Sequence, residues 1–376
     1  MNIQSHKTPE RVLMGPGPSN AHPEVLKAMS KQAVGHLDPS FLELMNEIRE
    51  LLRYVFQTKN DKTFAVSGPG TLGMESCLVN LVEPGEKIVI CQNGFFAGRM
   101  KAIIEQAGGI PVMVHDDWGT KISPEKLEDA LKKNPDVKVV AFVHAETSTG
   151  VLSDAKTLSE IAHKNNCVVL ADTVTSLGGS PLYVDEWNID ASYSGSQKCL
   201  SATAGLSPVT FGERAVEKIK NRKTKVQSWF MDLNTIWTYW QSETKRSYHH
   251  TAPINSFYGL HEALVLKKEE GLENSWNRHT NNSKKLCESL EGIGLKPFVN
   301  EEYRLPQLVS VGVPEGIDEA EVRKYALEKH NLEIGAGLGD LAGKIWRVGL
   351  MGYSSNQQNI DLCVKVFEEA INAQKK

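Results

Sequence analysis

The sequence predicts an α/β protein with a large domain built on a mostly parallel β-sheet and a smaller C-terminal α+β domain. Short β-branched runs alternate with amphipathic helical segments as far as about Gly271, a pattern typical of βαβ units with both faces of the sheet covered. At 376 residues with 40% hydrophobic side chains, the chain is long enough for two domains of roughly 100 to 200 residues each. After Gly271 the pattern changes to a long helix and isolated strands, which indicates the second domain.

The strands and helices follow from the spacing of apolar residues. Strands of the large domain are predicted at residues 63–66, 87–91, 112–114, 137–143, 167–171 and 191–194. Helices between them are predicted at residues 72–82, 123–133 and 156–165. The C-terminal part should contain a helix at 273–290, strands at 308–313 and 345–349, and a last helix from about Gln357. We therefore divide the chain into an N-terminal arm (1–19), a large domain (20–270) and a small domain (271–376).

Asp172 and Lys198 are the most informative pair of residues. Asp172 ends the apolar run Val168-Val169-Leu170-Ala171, and Lys198 follows the small, polar loop Ser194-Gly195-Ser196-Gln197. A pyridoxal phosphate enzyme needs a lysine that binds the cofactor aldehyde and a carboxylate that keeps the pyridine nitrogen protonated. Most lysines are solvated, and an aspartate after a strand is more often a helix cap. The order of strand, Asp and loop Lys favours the cofactor over these ordinary explanations.

Three other segments end predicted strands at the edge where ligands bind in such sheets. Ser67-Gly68-Pro69-Gly70-Thr71 opens a helix, so its backbone N–H groups are suited to a phosphate, although it is equally typical of a plain tight connection. Phe95 and Phe96 follow the next strand, where either one can stack on a ring or simply pack in the core. The segment 144–150 offers hydroxyl groups and Glu146 to a ligand, or caps a helix.

Arg347 and the pair His249-His250 are further candidates for a binding role. Arg347 lies inside an apolar strand, so it either pairs with a structural carboxylate or presents a planar fork to a substrate carboxylate. Adjacent histidines in an extended segment should point to opposite sides, and no Asp, Glu or Cys accompanies them at ligand spacing. We expect no metal site.

Charge and cysteine usage exclude several classes of protein. The formal charge of −4 provides no basic field for nucleic acid or an anionic membrane. The six cysteines are scattered without C-x-x-C spacing, as in reduced intracellular proteins. No apolar run reaches the roughly 20 residues of a membrane span, and the polar residues 1–11 do not resemble a signal peptide. We expect a cytoplasmic protein that binds neither nucleic acid nor membrane.

Together these segments resemble fold-type I pyridoxal phosphate enzymes of the class V aminotransferase family, most closely its alanine–glyoxylate (serine–pyruvate) aminotransferases. The resemblance spans nearly the whole chain and implies a seven-stranded, mostly parallel sheet in the large domain. It is carried by Met14 to Ser19, Ser67 to Thr71, Asn93-Gly94, Glu146 to Gly150, Asp172 to Val174, Gly195 to Lys198, Tyr248 to Thr251, and Arg347.

The resemblance also implies roles for individual residues. Lys198 and Asp172 would be catalytic, and Arg347 would bind the substrate. The implied cofactor site, for pyridoxal 5′-phosphate, consists of Gly70, Thr71, Phe96, Thr147, Asp172, Val174, Gln197, Lys198, Tyr248 and Thr251. Phe96 stands where the family usually has a tryptophan, which keeps ring stacking but removes an indole N–H. Tyr248 and Thr251 would reach the phosphate bound to a neighbouring subunit, so a homodimer with shared sites is implied, and the Pro16-Gly17-Pro18 segment would lie near the partner's substrate pocket.

The expected activity is transamination from a small amino acid, alanine or serine, to glyoxylate or pyruvate. A cysteine desulfurase would have a histidine before the lysine and a mobile cysteine, whereas Gln197 precedes Lys198 here. Serine–glyoxylate and 2-aminoethylphosphonate–pyruvate exchange remain alternatives on the same architecture. A catalytically silent binding protein is the alternative outside the enzymes, and the presence of both Asp172 and Lys198 argues against it.

Overall fold

A computed structural model of the chain describes residues 3–240 and 246–375. Residues 1 and 2 of the predicted arm, 241–245 of the predicted large domain and 376 of the predicted small domain lie outside this part. The elements up to residue 172 are β1 (Val12–Leu13), α1 (Pro23–Met29), α2 (Pro39–Phe56), β2 (Lys62–Ser67), α3 (Gly70–Leu81), β3 (Lys87–Gln92), α4 (Phe95–Gln106), β4 (Ile110–His115), α5 (Pro124–Lys133), β5 (Val139–Val143), β6 (Ala145–Glu146), β7 (Val151–Leu152), α6 (Ala155–Lys164) and β8 (Val168–Asp172).

The second half of the chain contains longer helices and shorter strands. Its elements are β9 (Ala191–Tyr193), β10 (Leu206–Phe211), α7 (Glu213–Lys220), α8 (Leu233–Trp240), α9 (Ile254–Glu270), α10 (Leu272–Gly292), β11 (Leu308–Gly312), α11 (Glu319–His330), β12 (Leu332–Glu333), β13 (Gly335–Ala336), β14 (Ile345–Gly349) and α12 (Gln357–Gln374). The predicted helices at 273–290 and from Gln357 correspond to α10 and α12.

The large sheet has seven strands in the order β2-β10-β9-β8-β5-β3-β4, which confirms the predicted α/β fold. Strands β9, β8, β5, β3 and β4 pair in parallel, while β10 is antiparallel to both β2 and β9. The sequence-based list of strands omitted β10. Its Pro208 has no N–H to donate to a ladder, so a proline in such a run argues against a central strand, although all six residues of β10 are buried.

Helices cover both faces of this sheet, so the central strands are buried and mostly apolar. Every residue of β5 and β8 is buried. The helices begin where the sequence offers a cap: the Ser123 side chain accepts from the Lys126 N–H at the start of α5, and Asp154 accepts from the Thr157 N–H at the start of α6. The rigid sheet therefore presents its carboxyl edge as a fixed platform for the residues that follow each strand.

The C-terminal part has its own core around a three-stranded antiparallel sheet in the order β11-β14-β13. The arm joins this core, because Met14 is fully buried there and β1 pairs in parallel with β12. The first turn of α10, with Leu272 and Trp276, instead packs in the core of the large sheet. The predicted boundary at 270/271 falls at Gly271, between α9 and α10, and the division into domains remains a prediction.

Two further features of the described residues are the state of the cysteines and the length and apolar character of the helices. All six cysteines are buried and unpaired. Within residues 3–240 and 246–375, no helix combines the length and apolar character needed to cross a bilayer.

Candidate active site

A cavity lies beyond the carboxyl ends of β5, β8 and β9, where the large sheet presents the segments that follow its strands. It is lined by Pro69, Gly70, Thr71, Met74, Phe96, Arg99, Val143, Ala145, Thr147, Asp172, Val174, Thr175, Gln197 and Lys198. The structure thus brings together, from distant parts of the chain, most of the residues predicted to bind the cofactor.

Asp172 is the last residue of β8 and is held from two sides. The Tyr193 hydroxyl donates a hydrogen bond to Oδ2 at 2.7 Å, and the Val174 N–H donates to Oδ1 at 2.8 Å. Burial raises the pKa of this carboxyl to about 6, against the lowering effect of these two donors. The carboxylate is therefore fixed in orientation and still mostly ionised at neutral pH.

Lys198 points into the same cavity from the loop after β9. The residue is only 8% exposed, and burial lowers the pKa of its amino group to about 8. A substantial fraction of this amine is consequently neutral near physiological pH, as a nucleophile or a general base requires. Its Nζ donates a hydrogen bond to the Pro16 carbonyl of the N-terminal arm.

The N-terminal arm lies close to Lys198 because Gly17 has no side chain and because hydrogen bonds hold the arm on both sides. Gly17 has a φ of 105°, and a Cβ on it would overlap the Lys198 side chain. The Ser19 hydroxyl donates to the Lys198 carbonyl at 2.8 Å, and the Gly349 N–H donates to the Met14 carbonyl at 2.7 Å. The arm was expected near a partner's pocket. The structure places it against Lys198 of its own chain, because it is fastened to β14 on one side and to the lysine loop on the other.

The opposite part of the cavity contains the start of α3. This helix begins at Gly70 after Pro69 and has no side-chain cap, so the N–H groups of Gly70 and Thr71 are open to a ligand, while the next two N–H groups donate to the Pro69 carbonyl. Thr71 lies beside them, and its hydroxyl accepts a hydrogen bond from Arg99 at 3.0 Å. A Cβ at Gly70 would sit 3.4 Å from the Val174 side chain, so a side chain at this position would take up space at this end of the cavity.

Phe96 lines the cavity, and the Glu146 carboxylate behind it holds its backbone. The Glu146 carboxylate is fully buried and accepts hydrogen bonds from the Ser148 N–H at 2.9 Å, the Ser148 hydroxyl at 2.6 Å and the Phe96 N–H at 3.3 Å. Burial raises the pKa of Glu146, while these donors and Arg347 oppose the rise. The Glu146 carboxylate therefore fixes the backbone at Phe96 and at Ser148.

Arg347 lies on β14 and contacts Thr147, one of the residues that line the cavity. Its Nη1 donates to the Thr147 carbonyl at 3.1 Å and its Nε donates to the Ala336 carbonyl at 2.6 Å. Among the described residues no carboxylate lies within ion-pair distance of it, although Glu146 is near enough to oppose the lowering of its pKa to about 10 by burial. Of the two alternatives for Arg347, this geometry disfavours a structural ion pair.

Tyr248 and Thr251 do not line the cavity of their own chain. Tyr248 is 58% exposed, and its hydroxyl lies 3.2 Å from the Thr251 hydroxyl. The expectation that His249 and His250 point apart was wrong, because this segment is not a strand: their Nδ1 atoms are 2.8 Å apart, and His250 Nε2 lies 2.6 Å from the Ser67 hydroxyl. No cluster of three or more metal-binding side chains occurs in the part of the chain described.

Comparison with known proteins identifies the family to which this site belongs. The model for class V aminotransferases matches residues 11–360. The chain belongs to the class V aminotransferase family. It is a pyridoxal phosphate-dependent aminotransferase, as the sequence predicted.

Named relatives and solved structures resemble this aminotransferase over nearly its full length. The alanine–glyoxylate aminotransferase of Felis catus is 39% identical over 365 residues, covering 96% of this chain and 88% of the cat protein. The (S)-ureidoglycine–glyoxylate transaminase of Bacillus subtilis is 36% identical, covering 94% of this chain and 88% of that protein. A crystal structure of alanine–glyoxylate aminotransferase from Nostoc sp. is 47% identical, with a TM-score of 0.96 and coverage of 99% of this chain and 98% of the other.

The cavity of this aminotransferase has the chemical features that fit pyridoxal phosphate. A buried amine with a lowered pKa suits an aldehyde, a fixed carboxylate suits a pyridine nitrogen, and an uncapped helix start suits a phosphate. In addition, Gln197 Oε1 is buried without a hydrogen-bond partner among the described residues, so the site contains an acceptor that a ligand can satisfy.

Sequence reasoning missed three contributors to this aminotransferase site. Tyr193, which binds Asp172, was predicted only as part of a strand, and period-two alternation would have placed it on one face of β9. Arg99 lies one turn into α4, which is not among the helices predicted from the sequence. The Pro16 carbonyl had no signal of its own, because a backbone contact between residues far apart in sequence leaves no pattern.

Proposed function

We propose that this aminotransferase moves the amino group of a small amino acid, alanine or serine, to a small 2-oxo acid, glyoxylate or pyruvate. The main support is that Lys198 and Asp172 line one cavity, and that Arg347 donates to the carbonyl of a third lining residue, Thr147. Neutral carbonyls hold the Arg347 guanidinium, and no described carboxylate lies within ion-pair distance of it. The similarity to alanine–glyoxylate aminotransferases over most of the chain supports the choice of substrates. Such substrates carry the carboxylate that an unpaired guanidinium can bind through two parallel hydrogen bonds.

The proposed mechanism assigns each task to a residue in the cavity. Pyridoxal phosphate, when bound, withdraws electrons from the substrate α-carbon. Lys198 would hold the cofactor through its Nζ and, once the amino substrate has displaced it, would take the proton from the substrate α-carbon at Nζ and pass it to the cofactor, a task that suits its lowered pKa. Asp172 keeps the proton on the pyridine nitrogen, and Arg347 orients the substrate carboxylate.

The remaining cofactor contacts are proposals of the same kind. Gly70 and Thr71 bind the phosphate at the start of α3, Phe96 and Val174 enclose the ring, and Thr147 and Gln197 lie beside the cofactor. All six line the cavity. Phe96 is fixed through Glu146, which restricts the position of its ring.

A matrix of donors and acceptors tests this function. Alanine, serine, 2-aminoethylphosphonate, taurine and (S)-ureidoglycine would each be paired with glyoxylate, and all except alanine also with pyruvate, since alanine and pyruvate only regenerate each other. The value of kcat/KM would be measured for every pair. We expect alanine or serine with glyoxylate to give the highest values, and the two donors without a carboxylate to be poor. A clear preference for 2-aminoethylphosphonate or (S)-ureidoglycine would replace the proposed donor, and absence of turnover with every pair would favour a silent binding protein.

We further propose a homodimer in which Tyr248 and Thr251 complete the phosphate site of the partner, with the cytoplasm as the compartment. Both side chains are exposed and lie outside the cavity of their own chain, which supports a role elsewhere. Mixing Lys198→Ala chains with Tyr248→Phe/Thr251→Val chains tests the shared site. If subunits exchange at random, half of the dimers are mixed and each restores one site, so about a quarter of wild-type activity should return. Recovery of none after demonstrated exchange would place both residues in their own chain's site.

A further inference from the structure

Arg99 is a cation at the cavity to which neither the sequence nor the proposed mechanism assigns a role. It lies on α4, one turn after Phe96, and its side chain lines the cavity together with Gly70 and Thr71. Its Nη1 donates to the Thr71 hydroxyl at 3.0 Å, and its Cζ lies 5.1 Å from the centre of the Phe96 ring. One side chain therefore contacts both the start of α3 and the aromatic wall.

The charge of Arg99 is not compensated by a neighbouring carboxylate. Among residues 3–240 and 246–375, no Asp or Glu lies within ion-pair distance of its guanidinium, whereas Lys101 on the same helix has Glu105 at 3.7 Å. Thr71 accepts one of the five N–H groups that a guanidinium carries, and the described residues accept none of the others. A planar cation with free donors beside an uncapped helix start is suited to a phosphate dianion.

We propose that Arg99 is a phosphate-binding residue of the cofactor site. This proposal rests on the proposed function, because it takes the Gly70–Thr71 end of the cavity as the phosphate end. The Phe96 ring restrains the guanidinium through a cation–π contact, so that Thr71 and Arg99 face the same anion as a pair. The contact with Phe96 serves to position Arg99, and the guanidinium binds the phosphate directly.

The test compares two aldehydes that differ only in the phosphate. Cofactor-free protein would be titrated with pyridoxal 5′-phosphate and with pyridoxal, and binding would be followed by quenching of intrinsic fluorescence. In Arg99→Gln we expect the dissociation constant for pyridoxal 5′-phosphate to rise about 10- to 100-fold, as for a hydrogen bond to a charged group, with that for pyridoxal unchanged. Arg99→Lys should lie between Arg99→Gln and wild type, and Lys101→Gln, which removes a cation from the same helix, should match wild type.

Inorganic phosphate provides a second measurement that does not involve the ring or turnover. Phosphate should raise the melting temperature of cofactor-free wild type and Lys101→Gln, and raise that of Arg99→Gln much less. Equal weakening of both aldehydes in Arg99→Gln would show that Arg99 acts through Phe96, and unchanged affinity for both would remove it from the site; either result overturns the proposal. If wild type itself bound neither aldehyde, the proposed function would fail, which is a distinguishable result.

Discussion

The Asp172 end and the Gly70–Thr71 end of the cavity differ in how far this chain satisfies its own polar groups. Asp172 is buried and accepts hydrogen bonds from Tyr193 and Val174, both supplied by neighbouring segments of the same sheet edge. At the other end, the helix start has no side-chain cap and Arg99 has no carboxylate partner among the described residues. The carboxylate at the first end is therefore held by the chain itself, whereas the second end keeps free hydrogen-bond donors for a ligand. The two ends should therefore respond differently to substitution.

Lys198→Ala should give the largest effect, because we propose that this cavity-lining residue serves both covalent attachment and proton transfer. Turnover should fall by more than the roughly 10²- to 10⁴-fold that a positioned general base contributes alone. The measurements are kcat and the melting temperature. A fold that survives with less than a few per cent of wild-type turnover agrees with the assignment, and a variant that keeps more than this would contradict it.

Arg347→Lys tests a residue that belongs to neither the Asp172 end nor the Gly70–Thr71 end of the cavity. Misplacement of a substrate by about 1 Å can cost on the order of 10²-fold, so we expect a lower kcat and a higher KM for both the amino donor and the oxo acceptor. Arg304→Lys is the matched control, since Arg304 also hydrogen-bonds a carbonyl, that of Val299, in the C-terminal part. It should change thermal stability at most. Unchanged KM values for both substrates of Arg347→Lys would remove Arg347 from the site.

Asp172→Asn removes the charge at the Asp172 end of the cavity. Loss of a charged partner should weaken cofactor binding and slow exchange of the substrate α-proton by about 10- to 100-fold each, the range for hydrogen bonds to charged groups. Tyr193→Phe removes one of the two hydrogen-bond donors to Asp172 and keeps the charge. Cofactor affinity and the rate of α-proton exchange should therefore each fall about fivefold. Normal cofactor affinity and proton exchange in Asp172→Asn would mean that another group faces the pyridine nitrogen.

The smallest expected effect is the pH dependence of stability in cofactor-free protein. The folded pKa of Lys198, about 8, lies below its ordinary 10.5, so the cost of burying the charged amine is full below pH 8 and is lost as the pH rises towards 10.5. Lys198→Met should therefore melt above wild type at pH 7, with a difference on the order of a few °C that narrows by pH 10. A difference that is constant across this range would show that folding does not lower the pKa of Lys198.

The sequence predicted those parts of the fold and site that depend on local order. Asp172 and Lys198 could be placed because each follows a strand, and strand ends meet at one edge of a parallel sheet. Arg347 was correctly placed in a strand, but its carbonyl partners, Thr147 and Ala336, come from other elements. Arg99 and the strand β10 were missed for physical reasons: the role of Arg99 depends on two segments meeting in space, and Pro208 hides the strand pattern.

The arm is anchored to the lysine loop at one end and to β14 at the other, so both anchors exist only late in synthesis of the chain. Pro16 and Gly17 leave the ribosome long before Gly349, yet the Gly349 N–H is what anchors Met14 beside them. A nascent chain that has made the whole of the large sheet already contains Lys198 and Asp172, but only contacts with the lysine loop, such as that of Ser19, can hold the arm at that stage. The second anchor of the arm forms when the chain is almost finished, so a chain broken off early holds the arm over the lysine at one end only.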